Sequence, residues 1–144
     1  MTESLTHPVF GDLRWEGRFS WWFTQVRLES GEWLDVIVDP GDDDPSAFVG
    51  RAAQLYCQAL DAEPEILQEA VQKKISDLYE LWRQVGEPKL TAEELTDRLE
   101  LTFVRIDPVV PITLSYVLGD VFGGHSVDVK VNERLQLVGV NLAG

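Results

Sequence analysis

The stretch that decides the fold is Pro64–Val85, PEILQEAVQKKISDLYELWRQV. Leu67, Val71, Ile75, Leu78, Trp82 and Val85 recur at intervals of three and four, the spacing that lines one face of an α-helix. Gly86 and Pro88 then stop it. This is the clearest helix in the chain, and its apolar stripe needs a surface to cover.

Working outward, a helix is expected from about Pro45 to Asp61, with Asp44 as its N-cap and Pro45 in its first turn. Its stripe is Phe48, Ala52, Leu55, Tyr56 and Ala59, and Cys57 lies beside it as a small core residue. On the other side, Thr91-Ala92-Glu93-Glu94 reads as a capping box, with Leu90 and Leu95 as a hydrophobic staple. That third helix is short and ends near Arg98.

Strands flank this helical middle. Phe10–Trp15, Arg18–Leu28 and Trp33–Val38 are separated by turn signals at Glu16-Gly17 and Ser30-Gly31, which predicts a three-stranded meander. Apolar parity shifts along the middle strand, from Phe19, Trp21 and Phe23 to Trp22, Val26 and Leu28. A bulge or a strand covered on both faces would produce that shift. After the helices come Leu99–Ile106, Ile112–Leu118, Ser126–Val131 and Leu135–Leu142, the last two joined at Asn132-Glu133. Strands, helices, strands describe an α+β protein: one antiparallel sheet, from the N-terminal meander and the C-terminal strands, covered by two to three central helices. The 144 residues, 44% of them hydrophobic, suit a single domain spanning 1–144.

The charge narrows the partners. Twelve Lys and Arg against 25 Asp and Glu give −13, a field that repels phosphate backbones, so neither nucleic acid nor an anionic membrane is expected as a partner. A basic protein surface is the complementary partner, and an acidic balance also serves plain solubility. No run approaches the roughly 18 apolar residues of a membrane span, and a cytoplasmic location is expected.

Few residues offer chemistry. His7, before a proline near the N-terminus, reads as solvated. Gly119–His125 is a glycine-rich turn that places Asp120 and His125 close together, with Asp128 three residues on. Its structural reading has Phe122 plugging the core and His125 holding the loop shut. Two ligands without a third His or Cys make a poor transition-metal site, and no metal or other cofactor is expected. Asp39, Asp42, Asp43 and Asp44 lack the spaced oxygens of a calcium loop and read as a solvated turn and helix cap. Nucleophile elbow, phosphate-binding glycine loop, zincin helix and dinucleotide fingerprint are all missing from the sequence.

Trp21-Trp22 is the remaining oddity. Adjacent strand residues point to opposite faces, so one indole enters the helix-covered core while the other needs a loop, a partner or exposure. Both are candidates for an interface.

The C-terminal stretch Tyr116–Gly144, YVLGDVFGGHSVDVKVNERLQLVGVNLAG, resembles the signature of the bacterial domain-of-unknown-function family 2262. Its features are a strand, an acidic Phe-containing turn ending in Gly-His, and a hairpin closing on glycine. The opening His7–Gly17, HPVFGDLRWEG, and the Trp82 helix with its capped short successor are similar in order to related domains. Asp120, Phe122, Gly124 and His125 carry the specific part, as a candidate functional loop. The resemblance implies a fold, no established activity, and an association with toxin-immunity and accessory loci.

Three functions follow as expectations. The first is a non-enzymatic module, of immunity-protein type, that masks a basic partner with an aromatic anchor. The second is a hydrolase or metal-dependent enzyme centred on Asp120, His125 and Asp128. The third is a self-associating structural module.

Overall fold

Val38-Asp39-Pro40 and Ile106-Asp107-Pro108 close two strands that run side by side in the same direction, and the helical middle is the crossover between them. The computed structural model describes residues 3–83, 85–119, 122 and 125–143. Among these, eight strands form one sheet in sequence order: β1 (Ser4–His7), β2 (Gly11–Glu16), β3 (Trp21–Arg27), β4 (Trp33–Val38), β5 (Glu100–Ile106), β6 (Ile112–Val117), β7 (Ser126–Val131) and β8 (Leu137–Ala143). Only the β4–β5 pair is parallel.

The mixed α/β layout agrees with the sequence, and the sheet is larger than the seven strands expected. The extra strand is β1, which the sequence hides because Ser4–His7 is short, largely polar and followed by Pro8. The sheet is also not wholly antiparallel, since the crossover returns the chain beside β4 in the same direction.

The helices are fewer than expected. α1 (Pro45–Ala70), a π-helical turn (Val71–Ile75) and α2 (Ser76–Trp82) follow one another without a break, so the two predicted long helices are one rod. Pro64 lies inside it. The proline removes the hydrogen bond to the Leu60 carbonyl, yet apolar residues on both sides of it are buried in the same core, and that shared burial keeps the rod intact. Leu67, Val71, Ile75 and Tyr79 are spaced by four, and each such step in an α-helix overshoots a turn by about 40°. The wider π turn takes some of that back and keeps Val71 and Ile75 fully buried.

Local signals hold where they are strong. Asp44 accepts from the Ala47 N–H at 3.0 Å as N-cap of α1. α3 (Ala92–Arg98) starts with the full capping box: Thr91 Oγ1 accepts from the Glu94 N–H and Glu94 accepts from the Thr91 N–H, each at 3.1 Å. The Thr91 backbone N–H is the main cause that holds the Glu94 carboxyl below its ordinary range. Cys57 departs from expectation and is exposed, on the side of α1 away from the sheet.

One face of the sheet carries the core. Leu13, Trp22, Leu34, Val36, Val104, Leu114, Val127 and Val129 point under the helices and join them in one buried cluster. Arg51 of α1 reaches Glu133 in the β7–β8 turn at 3.4 Å, and five residues on, Tyr56 meets Phe10 beside β2 at 5.2 Å. Eight strands laid flat would span about 34 Å, far wider than a helix of about 10–12 Å. The sheet therefore curls around α1, and its other face is left without a helical layer. Tyr116 ties the rod to β6 beside Pro64, donating to the Glu63 carboxylate at 2.9 Å. No described helix is long and apolar enough to cross a membrane.

Candidate functional site

The helix-free face gathers aromatic rings and guanidinium groups on β2, β3, β4 and β5. Register sets the rows: Arg14, Phe23, Ile37, Arg105, Thr113 and Lys130 lie across six neighbouring strands, and Glu16 and Trp21 begin the next row. Strand alternation then separates the tandem tryptophans. Trp22 is 2% exposed, its indole N–H donates to the Pro45 carbonyl at 3.0 Å, and Trp15 meets its ring edge-on at 5.1 Å. Trp22 is a core residue, and Trp21 alone of the pair faces outward.

Trp21 stacks on Phe19, with ring centres 4.7 Å apart and planes 13° from parallel. Phe19 is 52% exposed. It belongs to the β2–β3 turn, outside β3; within β3 the register is regular with no bulge, and the two apolar parities part because Trp22 and Val26 face the helices while Trp21 and Phe23 face outward. A shallow depression of about 300 Å³ runs between Arg14, Glu16, Phe19, Trp21, Phe23 and Ile37.

Arg105 holds the edge of this patch. Its guanidinium lies 5.3 Å from the Trp21 ring centre, bonds Asp39 at 2.6 Å and reaches Asp107 at 3.4 Å. Those carboxylates follow β4 and β5, and the Asp39 N–H donates to the Ile106 carbonyl at 2.8 Å, so one arginine gathers the ends of the parallel pair. Arg14 sits over Phe23 at 5.9 Å and pairs with Glu16 at 2.9 Å; Arg18 sits over Phe19 at 5.5 Å; Arg27 sits over the exposed Trp33 at 5.9 Å. Phe19, Phe23 and Arg105 were not among the residues expected to form an interface. The repeated Val-Asp-Pro and Ile-Asp-Pro endings were the available signal, because matching chain exits mark strands that stop at one level.

The glycine-rich loop gives less. Asp120 and Gly124 lie outside the described residues. Phe122 is buried in the core, and its carbonyl accepts from the His125 N–H at 3.0 Å. The His125 ring meets Trp82 edge-on at 5.9 Å, on the helix side. Asp128 is on the opposite face, accepting from Ser115 at 2.7 Å and Ser126 at 3.2 Å, so His125 and Asp128 are not brought together. Among the described residues no group of three His, Cys, Asp or Glu side chains is placed to hold a metal ion.

A cleft of about 460 Å³ opens beyond the parallel pair, beside Asp44, Phe48, Arg51, Asp107 and Glu133. Three of its four carboxylates are engaged: Asp44 caps α1, Asp107 accepts from the Val109 and Val110 N–H groups, and Glu133 pairs with Arg51, while Asp43 lines the rim. Those three hold turns in place. Within the acidic turn Asp39 is committed likewise, accepting from the Gly41 N–H as well as from Arg105.

The arrangement defines a mixed α/β protein, with a long helix on one face of a curled sheet and an aromatic–arginine patch on the other. The chain belongs to the family of uncharacterized proteins conserved in bacteria, DUF2262, whose model matches residues 7–142. No curated protein and no solved structure matches it.

Proposed function

We propose that this chain is a non-enzymatic protein-binding module that meets a basic partner through its helix-free sheet face, with Trp21 as the anchor. The observation that carries this reading is the stacked Phe19–Trp21 pair standing on a face that no helix covers. Trp, Phe and Arg on a firm sheet are the composition of an interface centre, and strands hold such rings at little entropic cost. Arg105 and Arg14 already have carboxylate partners, which reduces their opposition to an incoming cation. The −13 field supplies attraction at longer range and speeds encounter with a basic surface.

A toxin-immunity role fits this chemistry, because an immunity protein must mask a cationic effector quickly and hold it through a buried anchor. Capture on the immobilised protein from its native bacterial host tests the reading. A basic protein eluted by salt supports it; recovery of chaperones alone, with no salt dependence, overturns it.

A further inference from the structure

We infer that the cleft beyond the parallel pair receives a lysine or arginine side chain of the basic partner, as a second point of contact next to Trp21; this rests on the partner-binding reading and gives that partner a chemical feature. The cleft, about 460 Å³, falls in the range of roughly 300–1,000 Å³ in which proteins enclose small ligands. Floor and rim differ in chemistry. Phe48 and Leu55 form a buried apolar floor, and Pro108 and Pro111, between β5 and β6, are stiff apolar walls. Around them stand Asp43, Asp44, Asp107 and Glu133 against one guanidinium, that of Arg51. A long basic side chain matches both parts, because its methylene stem covers apolar surface while its charged head stays at the wet rim. An anion would face four carboxylates, and a neutral apolar group would cover charged groups without pairing them.

The rim keeps room for an incoming cation. The Asp43 carboxylate has no partner among the described residues, and Asp44 caps α1 through Oδ1 alone. Glu133 meets Arg51 at 3.4 Å with the two side chains 65% and 50% exposed, a loose pair that a second cation can share. Arg51 also shows the fit from within: it lies one turn of α1 beyond Phe48 and one before Leu55, and its guanidinium comes to rest on this rim. The cleft opens at the same end of the sheet as Trp21. Trp22 pairs with Val38, so Trp21 stands level with Asp39. Arg105 connects the two places, with its guanidinium 5.3 Å from the Trp21 ring centre and 3.4 Å from Asp107, a wall of the cleft. A partner seated on Trp21 therefore brings its neighbouring side chains within reach of the rim.

NMR titration of the isotope-labelled protein with N-acetyl-arginine methylamide and N-acetyl-lysine methylamide tests the cleft without the partner. Amide shifts should gather at residues 43–51, at Val109 and Val110 and at Glu133, saturate at millimolar probe, and shrink as salt rises. The uncharged citrulline and norleucine counterparts should leave these amides unmoved. Asp43→Asn and Glu133→Gln, both at exposed positions, should each weaken the basic probes about threefold, the size of one exposed ion pair, with an unchanged melting temperature. Either variant decides the matter should the other misfold. Trp21→Ala should bind the probes as the wild type does. Probe binding at the cleft, together with partner binding indifferent to Trp21→Ala, supports the cleft and overturns the sheet-face reading alone. Cleft amides unmoved by the basic probes, equal shifts with the neutral counterparts, or shifts at these amides on raising protein concentration alone, which would mark a second copy as the occupant, would overturn the inference.

Discussion

Arg105 lies 5.3 Å over Trp21 while its guanidinium bonds Asp39 at 2.6 Å, so the carboxylate after β4 fixes the indole on β3 through an arginine of β5. Three strands thereby hold one half-buried, outward-facing ring in place. A preorganised ring loses little freedom on binding, which is what makes it an effective anchor.

The two adjacent tryptophans should respond in opposite ways to truncation. Trp22→Ala opens a cavity under α1 and frees the Pro45 carbonyl, and is expected to cost about 3–5 kcal/mol in denaturant titration. Trp21→Ala loses a stacked ring and a cation–π contact on the open face, and is expected to cost about 1 kcal/mol. A large loss of stability at Trp21 would mean that the outer ring is structural.

Arg105→Lys keeps the charge and loses the planar fork that serves Asp39 and Asp107 together. The group is partly exposed, so screening limits the expected loss to about 1 kcal/mol. The mobility of the Trp21 ring, followed by NMR, should rise, with the core signals of Trp22 unchanged.

All three tyrosines, Tyr56, Tyr79 and Tyr116, have hydroxyl pKa values raised above their ordinary one, with burial as the first cause in each and Glu63 adding its charge at Tyr116. The folded state therefore keeps its phenolic protons where the unfolded chain releases them. The sign follows: stability is full below the unfolded tyrosine value of about 10 and falls as pH climbs past it. Alkaline titration should show tyrosinate absorbance appearing with unfolding, in one step. Stepwise ionisation at the ordinary value in a folded protein would contradict the burial described.

Pro64→Ala should stabilise the protein by roughly 1 kcal/mol or more, since it restores the hydrogen bond to the Leu60 carbonyl within an unbroken helix. Thermal melting reads this directly. Destabilisation would show that the proline shapes a bend the core needs.

What the sequence disclosed followed the range of each signal. Asp44-Pro45 and the Thr91–Glu94 box depend on atoms within one turn, and both stand as read. Pro64 is an equally local signal, yet packing of both halves into one core overrode it. β1 and the parallel β4–β5 pair are long-range facts: Ser4–His7 is a strand because β2 lies beside it, and Val38 meets Ile106 only after a crossover of more than sixty positions. Alternation showed that Trp21 and Trp22 must part. Which one entered the core depended on the side from which α1 approaches, and Pro45 settles that by accepting from Trp22. Of the candidate site, Trp21 was legible, whereas Phe19, Phe23 and Arg105 assemble around it only through strand register.

The most direct test is the affinity of the captured basic partner for the wild type and for Trp21→Ala, measured by titration calorimetry at low and high salt. The variant should bind at least about tenfold more weakly while remaining folded, and the wild-type affinity should fall as salt rises. Equal affinities for the two proteins, unmoved by salt, would contradict the assignment of the open face as the contact surface.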